Sequence, residues 1–471
     1  MFKLKKSLFL LLFLSSGTSA QPKLQLESFV SDYLANSSQL KSKSLERQVA
    51  ELNRDAAQDP YETVFGIGPQ VSRRNYEFPA GSDEITSVNL QASASRSFTS
   101  GFAVTSTWLG GESEASDGSR FKPSSKFEIG IEQDLSKNFL GRLDDSKARE
   151  AQLLLSSQEQ SLNQEQLDQC TTAAALFIDT YFLQQISSLY RSNVRDAEEL
   201  FQYFSDFYEK KHVKKIDFLR SKLDFLAVKS AFEEHENSFR QSLIRMETAV
   251  SKELPKNLHE PKTELLAMSL EGTKFDPKKS PLLASLKHNE QAAKEKLNVT
   301  RWESQSDWTL SMTAGRQKQE KIDYKAGVTS EDEDYVTLGL SLTLPLSSKT
   351  AKLATRQAAI DHRLAEEQIN DAEQKLLESW RTTLAGAKFY RTQADIAEQK
   401  VKVSEQQQTE SRRLTKALQM ELTDYIRDRQ SAVQQRIGLL QLQLNYMKSL
   451  LELRRLSYNS PSFCQTMRTP S

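Results

Sequence analysis

The chain has little of several things, and each scarcity excludes something. Its 471 residues hold two cysteines, Cys170 and Cys464, too few for a disulfide framework, and both read as unpaired thiols. The five histidines, His212, His235, His259, His288 and His362, share no local spacing with Cys, Asp or Glu of metal-ligand type, so no metal site and no cofactor are expected. The 63 Lys and Arg are balanced by 63 Asp and Glu, which leaves no net field to draw in nucleic acid. After the N-terminus no apolar run approaches the ~20 residues of a membrane-spanning helix, so any membrane crossing must be made by strands. Neither a phosphate-cradling glycine loop nor a local nucleophile signature is present, and the chain reads as a non-enzyme.

What the chain has in quantity is Ala, Leu, Gln, Glu, Lys and Arg, the composition of long helices with polar faces. Residues 1–20 read as an export signal: Lys3, Lys5 and Lys6, an apolar stretch from Leu8 to Leu14, then Thr18-Ser19-Ala20 as the cleavage site. The stretch is too short to serve as an uncleaved spanning anchor.

Internal repetition is the most informative pattern. FEIGIEQDL from Phe127 and VTLGLSLTL from Val336 each precede a long charged helical stretch. Each stretch runs to a short interruption, KKHVKKIDFLRSK around Asp217 and KALQMELTDYIRDRQ around Asp424. Both pairs recur about 210 positions apart, so the chain reads as a duplication. Helical lead-ins, QLKSKSLERQVAEL from Gln39 and LLASLKHNEQAAKEKL from Leu282, stand before the alternating segments of both halves.

The alternating segments predict strands with one oily face. Val336, Leu338, Leu340, Leu342 and Leu344 alternate with Thr337, Gly339, Ser341 and Thr343, and Phe127, Ile129 and Ile131 with Glu128, Gly130 and Glu132. Trp308, Leu310, Met312 and Ala314 repeat the pattern, as do Phe65, Ile67 and Val71. Such segments between polar loops fit an antiparallel transmembrane β-barrel; an ordinary soluble sheet shows the same alternation. An extra hairpin over 85–111 belongs to the first half alone, either as barrel strands or as a rim decoration.

Asp144 to Glu209 holds no Pro or Gly, and Lys349 to Leu418 one Gly and no Pro, so each predicts a rod on the order of 100 Å. Small residues recur every seven positions in the second rod, at Ala351, Ala358, Ala365, Ala372, Ser379 and Gly386, the spacing of a coiled-coil seam. The returning helices carry larger knobs: Phe218, Phe225, Phe232, Phe239 and Met246, and Val433, Ile437, Leu440, Leu444, Met447 and Leu451. The domain reading is a signal over 1–20 and a first repeat over 21–251, with strands about 62–136 and a helical hairpin about 144–251. A proline-broken linker over 252–281 follows, then a second repeat over 282–456, with strands about 306–346 and a hairpin about 349–456, and a flexible tail over 457–471.

With its lead-in helices, strand pairs, paired rods and the two tip tracts HVKKIDFLRS and QMELTDYIRD, the chain resembles the TolC-like outer-membrane efflux proteins. It departs from them in having Lys211 and Leu418 where the family has a tip glycine. The resemblance implies a mixed α/β membrane protein: a homotrimer whose strands close a barrel, usually of twelve strands, in outer-membrane lipid, and whose coiled-coil-like hairpins form an α-barrel reaching into the periplasm. The linker would wrap the waist. The implied function is the outer-membrane channel of a tripartite efflux pump or type I secretion system, opened at its periplasmic tip by an inner-membrane pump and a periplasmic adaptor. Asp424 matches the family's lumen-facing tip aspartate and Asp217 its first-repeat counterpart, which implies gating and selectivity roles. Arg427 stands where a second acidic ring would be, with Asp428 beside it. His212, Val213, Ile216, Leu418 and Leu422 are the implied docking residues of the tips. The plainer role for both aspartates is to cap the returning helices, worth ~1 kcal/mol. A periplasmic adaptor and a structural coiled coil are the alternatives; the first carries a single hairpin, and the second leaves the strands unexplained.

Overall fold

The computed structural model describes residues 23–78, 81–115, 120–261, 275–323, 327–344, 349–417 and 419–458. The expected export signal, Leu418, Cys464, part of the linker and nearly all of the tail lie outside these residues. The chain divides into two interleaved units, Met1–Ser38 with Gln166–Phe275 and Ser379–Ser471, and Gln39–Glu165 with Asp276–Glu378.

The second of these units holds the sheet. Six strands pair antiparallel in chain order: β1 (Val64–Phe78), β2 (Gly81–Ser97), β3 (Phe102–Ala115), β4 (Arg120–Asp134), β5 (Asp307–Asp323) and β6 (Gly327–Thr343). The segment over 85–111 therefore supplies sheet strands, most of β2 and β3, rather than a rim decoration. Along the middle of the sheet, register puts like with like, because directly opposed residues of an antiparallel pair share a face, although Val88 lies opposite Glu112 and Phe127 opposite Arg316. Ile67 faces Ala92, Ala92 faces Trp108, and Trp108 faces Phe127. Ile131 faces Met312, which faces Leu338. Glu128 lies opposite Gly315 and Thr313 opposite Thr337 on the other side. One apolar and one polar face thus run through the sheet, and the apolar side chains are uncovered: Ile67 is 77% and Leu338 72% exposed.

Two turns require glycine. Gly101, with φ 73°, joins β2 to β3, and a Cβ there would lie 2.1 Å from the Asn138 carbonyl oxygen; Gly141, with φ 84°, would meet the Thr99 carbonyl. Between β4 and the following helix, Asp134 accepts from the backbone N–H groups of Ser136, Lys137 and Asn138. Asn138 Oδ1 in turn accepts from Leu143 and Asp144 N–H at the start of α3 (Arg142–Glu209). Tyr61 donates to Asp144, and burial with that carboxylate pushes the phenol up to about 12. The unit also contains α2 (Ser38–Gln58), except its first residue, α5 (Pro281–Glu303), and the first parts of α3 and of α6 (Lys349–Lys416).

The other unit is helical: α1 (Leu26–Asn36), the later parts of α3 and α6, α4 (Lys215–Val250) and α7 (Leu422–Ser457). Its core includes Phe29, Ala173, Phe177, Ile178, Met246, Leu450 and Leu453, each fully buried. The seams of the returning helices face inward at Phe239, Met246, Val433, Ile437, Met447 and Leu451. Cys170 in this core is disulfide-bonded, which corrects its reading as an unpaired thiol. Sequence spacing carries no record of the contact that folding supplies. Arg142 and Lys349, and Lys215 and Leu422, are each 207 positions apart and open helices of equal length, 68 and 36 residues.

Candidate functional site at the hairpin tips

Both hairpin tips belong to the helical unit. At the first, α3 closes with His212 N–H on the Phe207 carbonyl (2.8 Å) and Lys211 N–H on that of Tyr208 (2.9 Å), the bond pair of a Schellman ending. This geometry places a left-handed residue just past the helix, and Lys211 fills it at φ 63°. The missing glycine leaves the turn intact but strained, since a Cβ in that region costs roughly 1–2 kcal/mol. At the second tip Gln419 N–H reaches the Leu414 carbonyl at 2.9 Å, the equivalent bond.

The two aspartates occupy the same place in their repeats. Asp217 and Asp424 are the third residues of α4 and α7, and their N–H groups bond Lys214 and Glu421 carbonyls at the same 3.1 Å. Lys214 and Glu421 are the N-cap residues and neither caps through its side chain. The aspartates therefore act on the helix from the first turn, where negative charge meets the positive end of the dipole, rather than as caps. Each has an arginine one turn on: Arg220 lies 3.8 Å from Asp217, and Arg427 lies 3.3 Å from Asp424. Arg427 thus pairs with the tip aspartate while itself largely exposed. Asp428 turns the other way, accepting from Gln407 Nε2 at 2.8 Å and from Ser411 Oγ on α6.

Beneath the tips Leu200 and Phe204 of α3 pack with Leu422 and Tyr425 of α7, and Val213 and Ile426 lean against them. Leu422 is only 4% exposed, so it supports the tip from below and is not on its surface. His212 and Ile216 are exposed, and Val213 is half-buried. Burial pushes the Tyr425 phenol up. Two cross-links join the repeats: Tyr203 donates to the Lys416 carbonyl at 2.9 Å, and Arg220 to Thr423 Oγ1 at 3.2 Å. Glu199 accepts from Lys416 and Arg412, and the Lys416 ammonium foremost holds its carboxyl below the usual carboxylate range.

Sequence reasoning missed the most buried ion pair here. Arg429 Nη2 bonds Asp224, linking α7 to α4 with the two side chains 0% and 3% exposed. Arg429 Nε and Nη1 have no partner among the described residues. The available signal was an arginine seven residues after Leu422 on the buried seam of α7, a position that otherwise takes apolar residues. Away from the tips, Glu290, His362 and Glu366 form the one grouping of potential metal ligands among the described residues.

No family model matches the chain, and no curated protein matches it in sequence. Solved structures do match in fold. The CmeC outer-membrane channel of Campylobacter jejuni aligns at TM-score 0.68 and 13% identity, over 92% of this chain and 85% of that one. The open-state MtrE outer-membrane channel of Neisseria gonorrhoeae aligns at 0.66 and 14%, over 92% and 88%. The outer-membrane protein VceC of Vibrio cholerae aligns at 0.64 and 12%, over 92% and 96%. Two successive repeats, paired 68- and 36-residue helices and an oily-faced antiparallel sheet therefore make up one known architecture, and the chain has the fold of the outer-membrane channel proteins that its sequence resembles.

Proposed function

We propose that three copies of this chain form an outer-membrane channel that conducts substrates from the periplasm to the exterior, as the outer component of a tripartite efflux pump or type I secretion system. The observation that carries this reading is the six-stranded sheet, apolar on one face and polar on the other, with β1 and β6 as edges that no other strand of the described residues pairs. An open edge in lipid leaves backbone groups unpaired, and closure against copies of itself removes every edge. Three copies of six strands close at eighteen, against the twelve usual in the family the chain resembles. Barrel diameter grows roughly linearly with strand number, so the bore is about half again as wide. Uncovered Leu353, Ile360 and Leu364 on α6 support the same assembly, since a partner copy would bury them.

At the tips, Asp217 and Asp424 repeat on a three-fold axis as rings of negative charge that admit cations and oppose anions. The neighbouring Arg220 and Arg427 weaken both rings by pairing. An adaptor would dock on the exposed turn residues, His212 and Ile216 among them. A periplasmic adaptor or a structural coiled coil leaves the oily-faced sheet without a purpose.

Planar-bilayer recording of the purified trimer tests the reading. Discrete channels blocked by trivalent cations are expected, with block lost in Asp424→Ala while the trimer stays assembled. Unchanged block would remove Asp424 from the gate, and a chain that never inserts would remove the channel.

A further inference from the structure

The Glu290, His362 and Glu366 grouping lies wholly within the unit that carries the sheet. Glu290 is on α5, while His362 and Glu366 are four residues apart on α6, one turn, and so share a face of that helix. One ligand atom from each of the three lies within 4.8 Å of the others, and His362 Nε2 is 2.7 Å from Glu290 Oε1. The His362 and Glu290 side chains are 19% and 22% exposed. Glu366 is exposed, which leaves the cluster open to solvent on one side. Among the described residues neither glutamate forms an ion pair with a lysine or arginine, whereas Glu295 pairs with Arg149 and Glu303 with Lys147. Two carboxylates from two helices thus converge on one imidazole, with no lysine or arginine in ion-pair contact among the described residues.

We propose that Glu290, His362 and Glu366 form a binding site for a first-row divalent transition metal such as zinc, which would clamp α5 to α6. Mixed nitrogen and oxygen donors suit these ions, whereas an imidazole is a poor ligand for calcium or magnesium. Three protein ligands leave a fourth position for water on the open side. Bonds of about 2.0–2.2 Å set ligand atoms roughly 3–3.5 Å apart around one ion. Loading therefore widens the His362 to Glu290 contact by a few tenths of an ångström, within the reach of side-chain rotation. The imidazole binds through Nε2, and any proton carried between that nitrogen and Glu290 leaves to solvent as the metal–nitrogen bond forms. His362 and Glu366 alone, four residues apart on α6, carry no metal signal in the sequence, because the third ligand is 72 residues away and only the packing of α5 against α6 supplies it.

The test is zinc titrated by calorimetry into the full-length, detergent-solubilised chain after chelator treatment, with thermal unfolding in parallel. One zinc per chain and a raised unfolding temperature are expected. His362→Ala and Glu366→Gln should each weaken binding at least tenfold and abolish the thermal shift, while Glu367→Gln, the next carboxylate along α6, leaves both intact. Glu366→Gln alters an exposed side chain, so it keeps the test open if His362→Ala does not fold. Wild-type chain without zinc binding, or His362→Ala and Glu366→Gln chains that bind as wild type does, would overturn the site. The measurement is independent of conductance, so the channel reading stands or falls separately.

Discussion

The two 68-residue helices, α3 and α6, are equal in length and equivalent by repeat, yet they are buried very differently. α3 places Leu167, Ala173, Ala174, Phe177, Ile178, Phe182 and Leu200 in the core. α6 buries chiefly small residues, Ala358, Ala387 and Ala397, with Trp380 and Val401, and leaves Leu353, Ile360, Leu364, Phe389 and Val403 more than half exposed. Duplication preserved the length of the rods while their surfaces diverged. α3 holds its own chain together, and α6 leaves apolar residues uncovered, the face that the proposed assembly would bury. The same asymmetry separates the strands, four in the first half and two in the second.

The comparison breaks most sharply at Phe177. It is fully buried, and Phe177→Ala should cost about 3–5 kcal/mol of stability, read as a lowered midpoint of guanidinium unfolding. On α6, Ile360→Glu is expected to do the opposite. Assembly should fail, seen as a monomer mass by light scattering, while the stability of the single chain changes by only ~0.5 kcal/mol. A folded trimer from Ile360→Glu would remove the partner face from α6. The tips sharpen the contrast more finely. Lys211→Gly relieves a left-handed side chain and should raise stability by about 1 kcal/mol, the relief being partly offset by the greater freedom of unfolded glycine. The smallest effect concerns Glu199, whose carboxyl is held low by Lys416 and Arg412. A lowered folded-state value means that the stabilisation is present above the unfolded carboxylate range and is lost as pH falls through the folded value. The pair is solvent-exposed, so the loss should be ~1 kcal/mol or less, visible as faster hydrogen exchange at the end of α6 once the pH falls below the usual carboxylate range.

Much of this architecture was legible in the residues. Oily-and-polar alternation over Val336–Leu344 and Phe127–Ile131, seven-residue seams in the rods, and the two tip tracts are all local patterns, each set by the period of one element. Asp217 and Asp424 were equally legible, because a first-turn acid after an interruption is a local signal. The Asp224–Arg429 pair and the burial of Leu422 were not, because each depends on which helix lies opposite. The segment over 85–111 was recognisable as a hairpin, yet its place between β1 and β4 is a matter of pairing between strands.

By itself, the sequence determined the elements: which stretches are rods and which are strands, where each turns, and that the plan occurs twice. Hydrophobic period and turn chemistry act within a few residues, so one chain read in order contains them. Tertiary structure alone decided what meets what: six strands in register, an arginine buried against an aspartate across two helices, and a histidine brought against a glutamate of another helix. Those contacts join positions tens to hundreds of residues apart, and only the packing of one side chain against another selects them.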